Sequence, residues 1–329
     1  MAARPVVLVT RMIPEAGLAL LRQRCDLRLG PDDRPMTREE LLAGAAEAKW
    51  VLGQLVDRID AAFFDAAPRL RGYANYAVGF DNIDVAEATR RGIPVCNTPD
   101  VLTVATAEMA WALVFAVARR VAETDTLLRR GIWPAWGPFT FLGQEITGKT
   151  LGIYGPGRIG TAMARMSRGF SMPVVYTGGR RPNEALEKEL GARRLPFEEF
   201  LEAADIVSIH APLTPETRHA FDAAAFARMK PTAILVNTGR GPIVDEAALT
   251  AALAAGRIAG AGLDVFEVEA PLPESLTSLQ NIVITPHIGS ATQTARDGMA
   301  TLAARNLLAM LTGGRPPSCL NPEVLEPGA

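Results

Sequence analysis

At 329 residues the chain exceeds what one ordinary hydrophobic core serves, and its 48% hydrophobic and 21% charged residues suit two folded domains with a solvated surface. A formal net charge of -2 supplies no basic field for a nucleic-acid backbone or an acidic membrane, which excludes those partners from the expectation. Three widely spaced cysteines, Cys25, Cys96 and Cys319, form no C-x-x-C pair; this argues against a disulfide framework or a zinc site and fits a reducing cytoplasm.

The chain opens MAARPVVLVT, whose apolar run is too short for a signal segment and reads as a first buried strand, Val6–Thr10. A helix pattern over Pro14–Arg24 follows, then strand patterns over Trp50–Gly53 and Leu70–Ala74 and a helix pattern over Asp84–Arg91. Val101–Arg130 is one long helix-favouring stretch. Its most apolar part, Ala105–Ala118, contains Glu108 and falls short of a membrane span. The following GIWPAWGPFTFLGQEITG, rich in Gly, Pro and aromatics, reads as an ordered loop or arm.

Beyond it, strands at Thr150–Tyr154, Val174–Thr177, Ile206–Ile209, Ala233–Asn237 and Ile282–Thr285 alternate with helices at Arg158–Arg168, Glu184–Leu190 and Glu246–Ala255. Continuous apolar strands alternating with helices predict parallel sheets covered on both faces. A last helix, Thr292–Leu311, is long enough to return to the first region. The expected organisation is α/β, with two doubly wound parallel-sheet domains: an outer one over 1–100 plus 288–329, and an inner one over 101–287. There is no convincing internal repeat or low-complexity tract.

The strand at Thr150–Tyr154 runs into Gly155-Pro156-Gly157-Arg158-Ile159-Gly160 and then a helix. In a G-x-G-x-x-G turn the first glycine allows the tight bend. The second lets the backbone approach a pyrophosphate, and the third permits close helix–strand packing. Free N–H groups at the helix start favour phosphate. The next strand ends in Thr177-Gly178-Gly179-Arg180-Arg181, where an NAD site usually carries an acid. Arginines there pair with a 2′-phosphate, which predicts NADPH as the preferred cofactor and NADH as the second.

The chain has three histidines to serve as proton donors. His287, in Thr285-Pro286-His287-Ile288-Gly289-Ser290, and His210, in Ser208-Ile209-His210-Ala211-Pro212-Leu213, both follow strands, where ligands of α/β sheets bind. Spacing alone does not choose between them. His219 sits among polar turn residues and reads as surface. Arg240, in Asn237-Thr238-Gly239-Arg240-Gly241, stands just beyond a strand, where a guanidinium grips a carboxylate with two hydrogen bonds. Gly262–Pro271 ends another strand and carries three acids, Asp264, Glu267 and Glu269. A carboxylate beside a histidine orients it and favours its protonated form, but spacing does not say which acid does so.

Together with Tyr76-Ala77-Val78-Gly79-Phe80-Asp81-Asn82-Ile83-Asp84, these ordered motifs resemble the D-isomer-specific 2-hydroxyacid dehydrogenases over nearly the whole chain. Within that family the sequence looks most similar to the glyoxylate/hydroxypyruvate reductases. The resemblance implies a Rossmann-type nucleotide domain inserted in a flavodoxin-like substrate domain. It implies reduction of a small 2-oxo acid by a nicotinamide cofactor, with Arg240, Glu269 and His287 as catalytic residues. The family's Pro often follows its catalytic Glu directly; here Ala270 intervenes before Pro271, leaving Glu267 as the other reading.

The resemblance moves His210 to the cofactor side, with Thr103, Pro212 and Thr238, and sets Asp264 near the nicotinamide carboxamide. Gly289 joins this cofactor set beside Gly155, Gly157, Arg158, Ile159, Gly160, Gly179, Arg180 and Arg181. The Val78-Gly79 backbone matches the loop that receives the substrate carboxylate. The resemblance also implies a homodimer with an arm over roughly residues 120–150, in which Trp133 or Trp136 borders a neighbouring site. No metal is expected. The rival expectations are a 3-phosphoglycerate or sugar-acid dehydrogenase, and a non-catalytic nucleotide-sensing protein of the corepressor kind.

Overall fold

The computed structural model describes residues 4–326. Residues 1–3 and 327–329, the extremities of the expected outer domain, lie outside the described residues. The chain divides into two units, one of Thr103–Ser290 and one of the residues up to Leu102 together with those from Ala291 onward. The second crossing comes after Ser290. Hydrogen bonds from the Ile288 and Gly289 amides to Asp264 hold the His287 loop in the Thr103–Ser290 unit.

The first unit carries five parallel strands: β1 (Val6–Val9), β2 (Asp26–Leu29), β3 (Trp50–Gly53), β4 (Gly72–Asn75) and β5 (Val95–Cys96), in the order β2-β1-β3-β4-β5. Helix α1 (Glu15–Arg22) packs against the final helix of this unit, Gln293–Leu311. Gly17 makes the close approach possible: a Cβ there would lie 2.5 Å from the Ala300 carbonyl oxygen.

The second unit begins with helix α2 (Thr103–Ala118). Its strands are β6 (Leu151–Tyr154), β7 (Val174–Thr177), β8 (Arg193–Arg194), β9 (Ile206–Ile209), β10 (Ile234–Asn237), β11 (Gly260–Leu263) and β12 (Ile282–Ile284). They form a seven-stranded parallel sheet in the order β12-β11-β10-β9-β6-β7-β8. Both faces are buried. Ile234 and Val236 pack with Trp111, Met163 and Tyr176, whereas Leu235 between them packs with Phe200, Phe221 and Phe226. That alternation across a fully covered strand is why these segments read as unbroken apolar runs.

Strand order reverses between β6 and β9, so the loops after these two strands diverge at a topological switch point, where open α/β sheets bind ligands. The helix after β6 is α3 (Arg158–Met166), and the closing helix Gln293–Leu311 is α4.

The helix-favouring stretch Val101–Arg130 forms two helices, Thr103–Ala118 and Val121–Arg129, separated at Arg120 with φ +55°. The Ala118 carbonyl accepts from the Gln144 N–H at 2.8 Å instead of continuing the helical ladder. The Arg120 guanidinium stacks over Phe141 and forms a two-pronged pair with Glu123. The returning arm thus ends the first helix.

Candidate active site

The glycine turn after β6 follows from local sterics. Gly155 has φ +92°, in the region that favours glycine, and a Cβ on it would stand 2.6 Å from the Ala211 backbone nitrogen. A Cβ on Gly160 would meet the Gly155 carbonyl at 2.5 Å. Gly157 differs, because a Cβ there would meet nothing within 4 Å. It caps α3 without any side-chain hydrogen bond, at the helix start that Arg158 and Ile159 open, where the first-turn N–H groups of any helix have no intrahelical acceptor. A cradle with backbone donors and room beside its glycine fits a dinucleotide pyrophosphate. Asn183 braces it, donating to the Pro156 carbonyl at 2.9 Å and to Thr161 Oγ1 at 3.1 Å.

Beyond β7 the backbone turns through Gly178 and Gly179, with φ +84° and +78°. Arg194 donates to the Gly179 carbonyl at 2.9 Å, and Arg180 and Arg181 follow on the surface. The strand end carries no acid, as the sequence indicated.

His210 is not placed to deliver a proton. Its Nε2 lies 2.9 Å from Ser208 Oγ and 3.2 Å from Met163 Sδ, and its Nδ1 lies 3.4 Å from Thr238 Oγ1. Burial pushes its imidazole from the ordinary 6.5 down to about 3. It is neutral near pH 7 and serves as a fixed polar contact at the switch point, beside the half-buried Gly155 and the exposed Pro212.

Arg240 begins the short turn after β10. The Asn237 side chain holds the turn from within: Nδ2 donates to the Arg240 carbonyl at 3.0 Å and Oδ1 accepts from the Gly239 N–H at 3.0 Å. The guanidinium folds back on the Gly239 carbonyl at 2.8 Å. Gly241 must lack a side chain, because a Cβ would overlap the Phe266 carbonyl, 1.8 Å away. Asn237 stood inside the motif, yet its bracing role carries no signal in spacing alone.

His287 adopts φ +54°, a strained value for a non-glycine residue. Asp264 over-determines that conformation. Its Oδ1 accepts from Thr285 Oγ1 at 2.6 Å and from the Ile288 N–H at 2.8 Å, and its Oδ2 from the Gly289 N–H at 2.7 Å. The His287 N–H donates to the Asp264 carbonyl at 3.0 Å. Asp264 is 1% exposed, so its structural work is to hold the His287 loop, a role the sequence reading missed. A Thr two residues before the His was the available signal.

Two acids compete for His287 on spacing, and geometry separates them. Glu269 Oε1 lies 2.7 Å from His287 Nδ1. Glu267 instead pairs with His219 at 3.1 Å and accepts from the Glu246 N–H at 3.0 Å. With Nδ1 donating to Glu269, the outward ring nitrogen is Nε2. The arrangement offers a guanidinium, a carboxylate-anchored imidazole and a phosphate cradle at strand ends of one sheet. That set suits carbonyl protonation during hydride transfer to an acid substrate.

In the first unit, Asn97 donates to the Val78 carbonyl at 2.8 Å and Asn75 to the Gly79 carbonyl at 2.9 Å, fixing that turn by both carbonyls. Thr103 opens α2, half-buried, and Thr238 is buried after β10. Trp133, Phe139 and Trp136 lie in the arm, 77%, 84% and 89% exposed. Among the described residues, no helix is long and apolar enough to cross a membrane, and no cluster of three His, Cys, Asp or Glu could hold a metal ion.

Comparison with known proteins adds to this geometry. The family model for the NAD binding domain of the D-isomer specific 2-hydroxyacid dehydrogenases matches residues 111–289. A glyoxylate reductase of Thermococcus onnurineus is 51% identical over 327 residues, covering 98% of each chain. A solved protein from Thermus thermophilus superposes with a TM-score of 0.89 at 45% identity, covering 96% of this chain and 99% of its own. An NADPH-dependent glyoxylate/hydroxypyruvate reductase from Sinorhizobium meliloti, solved with NADP and malonate, gives 0.86 at 34% identity, covering 99% of this chain and all of its own.

Proposed function

Because the chain belongs to the D-isomer specific 2-hydroxyacid dehydrogenase family, we propose that it reduces glyoxylate or hydroxypyruvate to the 2-hydroxy acid, with NADPH as the preferred cofactor. It is an NAD(P)-dependent oxidoreductase acting on CH–OH donors. The single observation that carries the mechanism is the 2.7 Å contact between His287 Nδ1 and Glu269 Oε1. When bound, the nicotinamide supplies the hydride.

This chain's residues do the rest. Arg240 grips the substrate carboxylate with a two-pronged contact. Val78 and Gly79, in the first unit, are the backbone positions that the family resemblance assigns to the substrate carboxylate. Glu269 holds Nδ1, so His287 gives the proton on Nε2 to the oxygen of the carbonyl as that bond is reduced. The turn at Gly155, Gly157, Arg158, Ile159 and Gly160 receives the pyrophosphate. Thr103, Gly179, His210, Pro212, Thr238, Asp264 and Gly289 complete the cofactor set.

The NADPH preference rests on Arg180 and Arg181 after a strand end without an acid, and on the NADPH-dependent relative from S. meliloti. The same reading includes a homodimer joined through the apolar arm, and a cytoplasmic setting that agrees with three free thiols. The test is loss of reduced-nicotinamide absorbance with glyoxylate or hydroxypyruvate, NADPH and NADH side by side. Turnover that favours NADPH is expected. Faster turnover with NADH overturns the arginine assignment alone, and no turnover with either acid while cofactor still binds overturns the reductase.

A further inference from the structure

Two of the three cysteines, far apart in sequence, meet in the first unit at a place the catalytic reading does not use. Ser318 Oγ donates to Asn97 Oδ1 at 2.6 Å, and the Leu320 N–H donates to the Val95 carbonyl at 2.8 Å. The two pairings run in opposite chain directions. Cys319, between Ser318 and Leu320, therefore comes opposite Cys96, between Val95 and Asn97. Directly opposed residues of antiparallel segments have Cα atoms about 4.5–5.5 Å apart, inside the range a disulfide spans. Both thiols are free.

The register is pinned on either side. Asn321 Oδ1 accepts from the Val95 N–H at 2.8 Å, and its Nδ2 donates to the Ile93 carbonyl at 2.9 Å. Asn306 accepts from the Ser318 N–H at 3.0 Å and donates to the Asn97 carbonyl at 3.0 Å. Neither segment can slip without breaking buried amide bonds.

We infer that Cys96 and Cys319 form an oxidisable dithiol site, at which a hydroperoxide closes an intrachain disulfide between β5 and the C-terminal segment. The pair is chemically asymmetric. Cys96 Sγ lies 3.9 Å from Met310 Sδ and Cys319 Sγ 3.6 Å from Asn321 Oδ1, and the neighbouring Cys96 thiol lowers that of Cys319 below its ordinary range. The neighbouring Cys319 thiol, with burial, raises Cys96 far above its own. Cys319 is half-buried whereas Cys96 is fully enclosed.

Cys319 is thus the attacking thiolate. Its sulfur bonds to one peroxide oxygen as the O–O bond breaks, giving a sulfenic acid and, from the other oxygen, water or an alcohol. The Cys96 sulfur then displaces the sulfenic hydroxyl, which leaves as water with the Cys96 proton. Two thiols are oxidised to one disulfide and one peroxide is reduced. Asn97, adjacent to Cys96, also donates to the Val78 carbonyl, so the link forms one residue from a side chain that holds that turn.

The experiment treats the purified full-length chain with hydrogen peroxide, quenches, unfolds it, alkylates free thiols and maps the peptides. Cys25, buried and raised in pKa by that burial, is the internal reference. The expected result is a Cys96–Cys319 linked peptide, loss of both thiols from alkylation, retention of Cys25, and reversal by dithiothreitol. In Cys96→Ser, Cys319 should instead be trapped as a sulfenic acid by dimedone. In Cys319→Ser, Cys96 should stay alkylatable. Retention of all three thiols overturns the inference, as does a link to Cys25 or to a second chain. None of these readouts depends on the catalytic assignment.

Discussion

At the scale of single residues, His210 and His287 are set apart by their surroundings. His210 is held neutral by burial, with its imidazole lowered from 6.5 to about 3. Between those two values the unfolded chain binds a proton at this residue and the folded chain does not. Stability from this group is therefore full above pH 6.5 and falls as pH drops toward 3. His210→Gln should flatten that acid-side loss, as read by urea unfolding midpoints at several pH values. A parallel loss in variant and parent would contradict the buried neutral state. The choice between the two histidines was not legible in the sequence, because both follow strands. Only the surroundings separate them: Met163 and Ser208 at one, Glu269 at the other.

At the scale of elements, the most legible strands were apolar runs of three residues or more, whereas β5, although buried, is only two residues long and shows no pattern. The central strands β6, β9 and β10 sit under cover on both faces and announce themselves as apolar runs. The strands absent from the sequence reading, β2, β5 and β8, are all sheet edges. Asp26–Leu29 and Arg193–Arg194 are largely exposed, so no hydrophobic pattern marks them. Strand β11, GAGL, was read only from its end, because its small residues serve another need. A Cβ on Gly262 would lie 2.8 Å from Leu113 Cβ, so α2 packs directly on the strand backbone. Gly262→Val should cost about 1–3 kcal/mol by overpacking, measured by chemical denaturation. An unchanged midpoint would show that α2 does not rest on this strand as described. The break in the helix-favouring stretch at Arg120 was invisible for a related reason: the partner that ends the first helix, Gln144, lies in a loop with no periodic signal.

At the scale of the whole molecule, the apolar arm is the feature a single chain does not explain. Trp133, Trp136 and Phe139 stand in solvent, where large aromatic groups gain nothing. On the proposed homodimer they are buried against a second copy, since aromatic anchors carry much of the energy of such interfaces. Trp133→Ser with Trp136→Ser should shift the species seen by light scattering from two chains to one, with the fold retained by circular dichroism. A wild-type protein that is already a single chain would refute the dimer. The architecture and the strand–glycine turn–helix unit were readable because the glycine turn, the strand ends and the returning helix are spaced by backbone geometry. The bracing by Asp264, Thr285 and Asn237 was not, because it depends on contacts that spacing does not encode.

The central claim is that His287, held by Glu269, delivers the proton while the cofactor is bound elsewhere on the same unit. His287→Ala tests it most directly, through single-turnover reduction of glyoxylate by bound NADPH together with the NADPH dissociation constant. The reduction rate should fall by about 10²–10⁴-fold with cofactor affinity within about twofold of the parent. An undiminished rate, or a loss matched by the loss of NADPH binding, would contradict it.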